Sequence, residues 1–260
     1  MTSQVRESRY ASVCLLSFNR AKLIKQTIET AIANARYPFE LIVHDDGSDM
    51  DTTELLIDMH ENGMISLLML NAPGNNEGQG VALNRMFGSA TGDPIVKMDQ
   101  DMALDPGWLQ KSVELLEAND AHAWGESRLD LEGKPRIGAL GLFKYEHDPV
   151  DFRKMLIAHH TTQGIEWEEH QDFVGSAMVI PRSCWEEFGP FEERSPAFAE
   201  DAVFKQRIAG LPGWCCALFP DDLAVNVGFG VGPSTVNVMD GDNLVVQSIH
   251  DKPLLLGADF

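Results

Sequence analysis

Apolar positions in the first hundred residues follow two alternating spacings. Val13-Cys14-Leu15-Leu16 is a continuous apolar run inside Ala11 to Ser17, as expected of a strand buried on both faces. Behind Asn19, which reads as an N-cap, Ile24, Ile28, Ala31 and Ile32 recur at helical spacing. Leu41-Ile42-Val43-His44 predicts a second strand, ending in Asp45-Asp46-Gly47-Ser48. Ser48 and Asp51 there have capping-box spacing ahead of a helix over Thr52 to Met59. A third strand fits Ile65 to Leu70, a helix beginning near Gly80 carries Leu83, Phe87 and Ala90, and Ile95 to Met98 is a fourth strand. This β-α-β-α-β-α-β rhythm predicts an open, largely parallel sheet with helices on both faces and ligands at the carboxyl ends of its strands.

Beyond residue 120 the pattern loosens. Strands are expected at Ile137–Phe143 and Phe173–Ile180, a helix at Val150–Ala158, a helix at Ala199–Ala209 and a strand at Trp214–Phe219. Thr161 to Gln171 has no clear period. The tail from Gly228, rich in Gly, Ser, Asn and Asp, reads as mobile loop. Neither a repeat nor a Pro- or Ser-rich linker divides the chain, so its halves are expected to share one core.

Composition narrows the function classes. With 260 residues, 44% apolar and 23% charged, the chain has an ordinary globular balance. The 40 acidic and 20 basic side chains give a net charge of -20, which disfavours nonspecific adhesion to nucleic acid or anionic lipid. Charge is uneven: residues 1–36 hold six basic groups against two acidic ones, fitting either a phosphate-facing βα unit or a solvated helix face. Cys14, Cys184, Cys215 and Cys216 form no C-x-x-C pair and are expected as buried free thiols. No apolar stretch approaches the ~18 residues of a membrane span, and the start of the chain lacks a signal-peptide core. The expected compartment is the cytoplasm.

The candidate chemistry lies where strands end. Asp99-Gln100-Asp101 follows the fourth strand with two carboxylates one residue apart, a set that can hold a hard divalent cation and the diphosphate it carries. Asp45-Asp46 ends the second strand, and Glu200-Asp201 opens a helix. Acidic turns and helix starts are common for structural reasons alone. Three of them along one α/β chain suggest a nucleotide and metal site.

Five segments together resemble glycosyltransferase family 2, the nucleotide-sugar-dependent enzymes of the GT-A fold. They are "VCLLSFNR" (13–20), "LIVHDDGSDMDTTELL" (41–56), "NEGQGVALNRMFGSATGDPIVKMDQD" (76–101), "FVGSAMVIPRSCWEEFGPFEE" (173–193) and "AEDAVFKQRIAG" (199–210). The resemblance implies a Rossmann-like open mixed sheet. It also implies a nucleotide-sugar-binding half at 1–115 and an acceptor-binding half with a mobile C-terminal tail at 116–260, in one continuous domain.

The resemblance further implies an inverting transfer from a nucleotide-diphosphate sugar, taken to be a UDP-sugar, to an acceptor hydroxyl. Ser17 and Asn19 would lie beside the nucleoside, and Asp46 would accept from the imide N–H of uracil while Asp45 serves the turn. Asn84 and Arg85 would flank the base and ribose, although Arg85 reads equally as a surface charge. Asp101 would ligate Mn²⁺ or Mg²⁺, with Asp99 on the ribose or the metal's water shell. Asp201 would be the general base, and Glu200 mainly a helix-terminus carboxylate. The His that many relatives supply from the C-terminal segment is missing from "AVNVGFGVGPSTVNV" (224–238); His250 reads either as its substitute from the tail or, as a lone tail His more often is, as an exposed side chain. Of the tryptophans, only Trp167, in an acidic aperiodic segment, is expected to be exposed.

Other readings compete. A haloacid-dehalogenase-like phosphatase would place its Asp-x-Asp after the first strand, not the fourth. A nucleotidyltransferase of related architecture leaves the Glu200-Asp201 helix unexplained, and a non-catalytic nucleotide-sugar sensor has no need of Asp201. For the acceptor, a saccharide, a lipid-linked glycan, a protein and a modified nucleobase all remain open, nucleic acid being disfavoured by the net charge.

Overall fold

The computed structural model describes residues 9–120, 135–142, 155–193, 200–209 and 213–227, with the backbone of a short hairpin pairing Met239–Asp240 with Asn243–Leu244. The elements run β1 (Ala11–Ser17), α1 (Ala21–Asn34), β2 (Phe39–Asp45), α2 (Met50–Glu61), β3 (Leu67–Leu70), α3 (Gln79–Ser89), β4 (Ile95–Met98), β5 (Met102–Leu104) and α4 (Trp108–Asp120). There follow β6 (Arg136–Gly141), β7 (Leu156–Thr162), β8 (Ile165–His170), β9 (Ala177–Ile180), α5 (Arg182–Phe188), α6 (Glu200–Ala209), β10 (Trp214–Leu218) and β11 (Ala224–Asn226).

Nine strands form one mixed sheet in the order β3-β2-β1-β4-β9-β6-β10-β8-β7. The first four are mutually parallel; β9 runs antiparallel between β4 and β6, and β8 and β7 close the far edge as an antiparallel hairpin. A separate ribbon pairs β5 with β11, bringing Asn226 opposite Met102.

Two apolar layers sandwich this sheet. Val13 and Leu15 of β1 point into one with Ile24 and Ile28 of α1 and Trp108 and Val113 of α4. Cys14 and Leu16 point into the other, with Leu83 and Phe87 of α3, Phe188 of α5 and Phe204 of α6. Burial on both faces is why β1 is apolar without alternation. All four cysteines are buried free thiols. Among the described residues no helix is long and apolar enough to cross a membrane.

Several elements differ from expectation. The cap of α2 is Asp49, which accepts from Thr52 N at 2.9 Å, rather than Ser48. Ser48 instead donates its hydroxyl and N–H to Asp45, closing the turn around Gly47 at φ 85°. The cap of α1 is Arg20, not Asn19. Residues 156–158, expected in a helix, begin β7, and the aperiodic stretch 161–171 holds the β7–β8 hairpin. Edge position explains β7, where solvent on one side tolerates polar and exposed apolar residues alike. By contrast, β8 lies between β10 and β7 and satisfies its buried His170 and Glu168 by pairing them with each other. Trp167 is buried, stacked on His160 at 4.2 Å, with its N–H donated to Thr162 Oγ1. The tail beyond residue 227, including His250, lies outside the described residues apart from the hairpin backbone.

Candidate active site

A cleft of about 310 Å³ opens at the carboxyl ends of β1, β2 and β4. Leu16, Phe18, Arg20, Asp46, Gly78, Gln79, Asp99, Gln100 and Asp101 line it, together with Asn76. The Asp-x-Asp turn is fastened to the β1–α1 loop. Gln100 accepts from Phe18 N at 2.9 Å and donates to Phe18 O at 3.0 Å, as a neighbouring strand would. Thr27 Oγ1 donates to Gln100 O and accepts from Met102 N, tying α1 to the same turn.

Asp46 forms another wall. Its Oδ1 accepts from Asn71 Nδ2 at 2.9 Å and Glu77 N at 2.8 Å, and its Oδ2 accepts from Gly78 N at 2.9 Å. These three donors fix the carboxylate in orientation, while a carboxylate offers roughly four acceptor sites. Asp45 serves the turn, bonded to Ser48 and Thr53.

Asp99 and Asp101 lie side by side with different partners. Asp99 Oδ1 accepts from Lys97 Nζ at 2.9 Å. Asp101 Oδ2 meets Arg20 at 3.3 Å, and Asp101 Oδ1 accepts from Asn226 Nδ2 at 3.1 Å. Burial, reinforced by the charge of Asp99, pushes the Asp101 carboxyl up to about 6.

Behind Asp99 is a buried network of alternating charge. Lys97 of β4 donates to Gly175 O at 2.8 Å and lies 3.9 Å from Glu200 Oε1. Burial opposes its charge, yet Asp99, Asp201 and Glu200 together hold the ammonium above the ordinary lysine range. Burial raises Glu200 despite Lys97. It also acts to raise Asp201, but Lys97 and Lys205 outweigh it and hold that carboxylate below its usual range. Lys205 reaches Asp201 at 3.3 Å, Asp172 at 2.6 Å and the Phe173 carbonyl. One lysine thus connects the Asp-x-Asp turn to the carboxylates that open α6.

The other expected site residues are disposed around the cleft rather than along its lining. Ser17 is buried at the end of β1, its hydroxyl without a hydrogen-bond partner among the described residues. Asn19 joins the α1 and α2 loops, donating its N–H to Ser48 Oγ and accepting from Asp49 N. Asn84 is spent on the backbone of Phe191 and on Glu193, and Arg85 pairs with Glu77. Lys97, Gln100, Arg20 and Asn226 went unassigned from sequence. For Lys97 a signal existed: a charged residue within a fully buried strand demands a partner.

The carboxylates that line the cleft, Asp46, Asp99 and Asp101, offer oxygen ligands, the chemistry of a hard cation. Among the described residues no group of three or more His, Cys, Asp or Glu is arranged to hold a metal ion. Mg²⁺ commonly takes one or two carboxylates and completes its shell with water and substrate phosphates, so Asp99 and Asp101 fit such an ion.

Solved structures with this sheet include a mannosyltransferase, PcManGT, from Pyrobaculum calidifontis in complex with GDP-Man and Mn²⁺ (TM-score 0.56, 20% identity, covering 82% of this chain and 55% of that one). S. aureus TarS 1-349 in complex with UDP-GlcNAc is another (TM-score 0.55, 15% identity, covering 83% and 57%). An open mixed α/β sheet with an acidic cleft at its parallel strand ends defines, with these neighbours, the GT-A fold. The family model for glycosyl transferase family 2 matches residues 12–189, and the chain belongs to that family.

Among curated relatives, the glucosyl-dolichyl phosphate glucuronosyltransferase of Haloferax volcanii is 26% identical over 185 residues, 69% of this chain and 54% of the relative. The hyaluronan synthase of Pasteurella multocida is 33% identical over 111 residues, 42% of this chain and 11% of that protein. The chain thus spans about half of the first relative's length and about a tenth of the second's.

Proposed function

We propose that this glycosyltransferase moves a sugar from a UDP-sugar to an acceptor hydroxyl with inversion, assisted by Mn²⁺ or Mg²⁺, with Asp201 as general base. The observation that carries the reading is that Asp99 and Asp201 share one buried cation: Asp99 accepts from Lys97 at 2.9 Å, and the charge of Asp201 acts on the same ammonium. Asp46, fixed by three donors and with acceptor capacity left over, faces the cleft where a uracil imide would donate. The metal and the nucleotide also draw support from the neighbours solved with Mn²⁺ and with UDP-GlcNAc, while the GDP-Man complex makes the base the point to test.

In this mechanism Asp99 and Asp101 would hold the cation that carries the diphosphate. When bound, the cation supplies Lewis-acid stabilisation of charge on the departing nucleoside diphosphate. Asp201, held ionised by Lys97 and Lys205, takes the proton of the acceptor hydroxyl as that oxygen bonds to the anomeric carbon. The bond to the diphosphate breaks on the opposite face, and nucleoside diphosphate leaves with the electron pair.

The test is Asp201→Asn, expected to lower turnover ~10²–10⁴-fold with nucleotide affinity nearly unchanged. An α-linked donor should yield a β-linked product by NMR, and calorimetry should rank UDP above GDP and ADP. Retained configuration, wild-type turnover in the variant, or equal affinity for the three nucleotides would each overturn the corresponding assignment.

A further inference from the structure

Among the described residues the cleft lining holds three carboxylates, Asp46, Asp99 and Asp101, against a single cationic side chain, Arg20. A diphosphate entering such a site meets repulsion unless a positive group turns toward it. Arg20 is placed for that. Both Asn19 and Arg20 adopt left-handed backbone, at φ 56° and 61°. Non-glycine residues hold that conformation only where the surroundings enforce it. Ser48 and Asp49 anchor Asn19, Gln100 clamps Phe18 on both its N–H and C=O, and Leu23 and Ile24 donate to Arg20 O. The backbone is therefore pinned while the side chain stays 43% exposed.

Its contact with Asp101 is loose. One nitrogen meets one oxygen at 3.3 Å, without the paired bonds of a strong guanidinium–carboxylate fork. A divalent cation on Asp101 would repel the guanidinium from that oxygen. The nearest anion would then be the diphosphate, whose oxygens suit the planar donor fork of arginine.

We propose that Arg20 is an exchanging counter-ion, neutralising Asp101 before the donor binds and passing to the donor's diphosphate when a divalent cation takes Asp101. The inference rests on the reading of Asp101 as a cation ligand given above. It makes Arg20 a competitor of the metal and an ally of the nucleotide, so one substitution has effects of opposite sign.

The experiment uses Arg20→Asn, because asparagine tolerates left-handed backbone, with Arg20→Lys as the charge-retaining control and circular dichroism to verify folding. Mn²⁺ binding without nucleotide is read from the electron paramagnetic resonance of free Mn²⁺, and UDP binding at saturating Mn²⁺ by calorimetry. Arg20→Asn should bind Mn²⁺ about two- to fivefold more tightly, the range of an exposed ion pair. It should bind UDP roughly 10- to 100-fold more weakly, the range of charged hydrogen bonds. Arg20→Lys should shift both less. Both affinities falling together, or neither moving, would overturn the exchange. Asp101→Asn separates this from the underlying reading. If it abolishes Mn²⁺ binding, Asp101 stands as ligand whatever Arg20 does; if wild type and Asp101→Asn alike fail to bind Mn²⁺, both ideas fall.

Discussion

Gly175 leaves the space that the Asp201 carboxylate fills: a Cβ at 175 would stand 1.8 Å from Asp201 Oδ2. The same glycine's carbonyl accepts from Lys97, so the segment ahead of β9 holds the lysine and admits the carboxylate at once. Gly175→Ala should push Asp201 away from its position while Asp46, held at the end of β2 by Asn71, Glu77 and Gly78, stays put. Overpacking of this kind costs about 1–3 kcal/mol. The expected kinetic outcome is a kcat reduced at least ~10-fold with UDP affinity within about twofold of wild type, a split that follows if Asp201 acts on the chemical step. Steady-state kinetics beside calorimetry decides it, and equal losses in both would mean the whole cleft had moved.

Lys97→Met keeps the volume of a long side chain and removes the charge from a site facing Asp99, Glu200 and Asp201. Removing one partner of a buried pair costs about 3–5 kcal/mol, since the carboxylates are left uncompensated. The loss should be larger at pH 8 than at pH 5. Glu200 already has a raised pKa with Lys97 present and would take up a proton first, relieving part of the repulsion as pH falls. Urea denaturation at the two pH values measures this, and a pH-independent loss would count against charge compensation as the cause.

Elements with a sustained apolar run or period are the ones legible in sequence, including β3, although none of its residues is buried. β1, β2 and β4 announced themselves because both faces of each are covered, and the DDGS turn because it must accept backbone N–H groups. β7 was misread because Leu156 and Ile157 are exposed apolar residues on an edge, where hydrophobicity no longer reports burial. α5 spans only seven residues, too few for a period to register. In the site, the acidic residues were readable one by one because carboxylates at strand ends are conspicuous. Their partners were not: Arg20 meets Asp101 from 81 positions away and Asn226 from 125, and no local pattern encodes such pairings.

Asp101 carries a pH signature of its own. Its carboxyl is pushed from the ordinary 3.8 to about 6 by burial and by Asp99. A folded-state pKa raised above the unfolded one means that the neutral form favours folding. The contribution is fully present below pH ~4 and lost as pH rises through about 6. By pH 8 the ionised group costs the metal-free fold about 3 kcal/mol, at roughly 1.4 kcal/mol per pH unit. Asp101→Asn should therefore raise the Tm of metal-free protein at pH 8, and the gain should vanish near pH 4. Added Mn²⁺ should stabilise wild type at pH 8 and leave the variant unmoved, because only a ligand bound to the native state shifts unfolding. A variant less stable than wild type at pH 8 would contradict the cost assigned to this charge.

Gln100 sits between two aspartates, yet its amide works on the neighbouring loop, accepting from Phe18 N and donating to Phe18 O. Gln100→Ala removes both bonds, and at about 0.5–1.5 kcal/mol each the loss should be about 1–3 kcal/mol. Gln100→Glu is the more telling change. A carboxylate still accepts from Phe18 N, but it cannot donate to Phe18 O and instead sets negative charge against that carbonyl, with Asp99 and Asp101 on either side. Those neighbours raise the folded-state pKa of the introduced acid, so its penalty is present at high pH and withdrawn as pH falls through that pKa. At pH 8 Gln100→Glu should be less stable than Gln100→Ala. Near pH 4, once protonated, it recovers a donor for Phe18 O, and the order should reverse. Thermal denaturation of the two variants and wild type at both pH values provides the check; an unchanged order would mean that the Gln100–Phe18 clamp does not depend on the donor half of the amide.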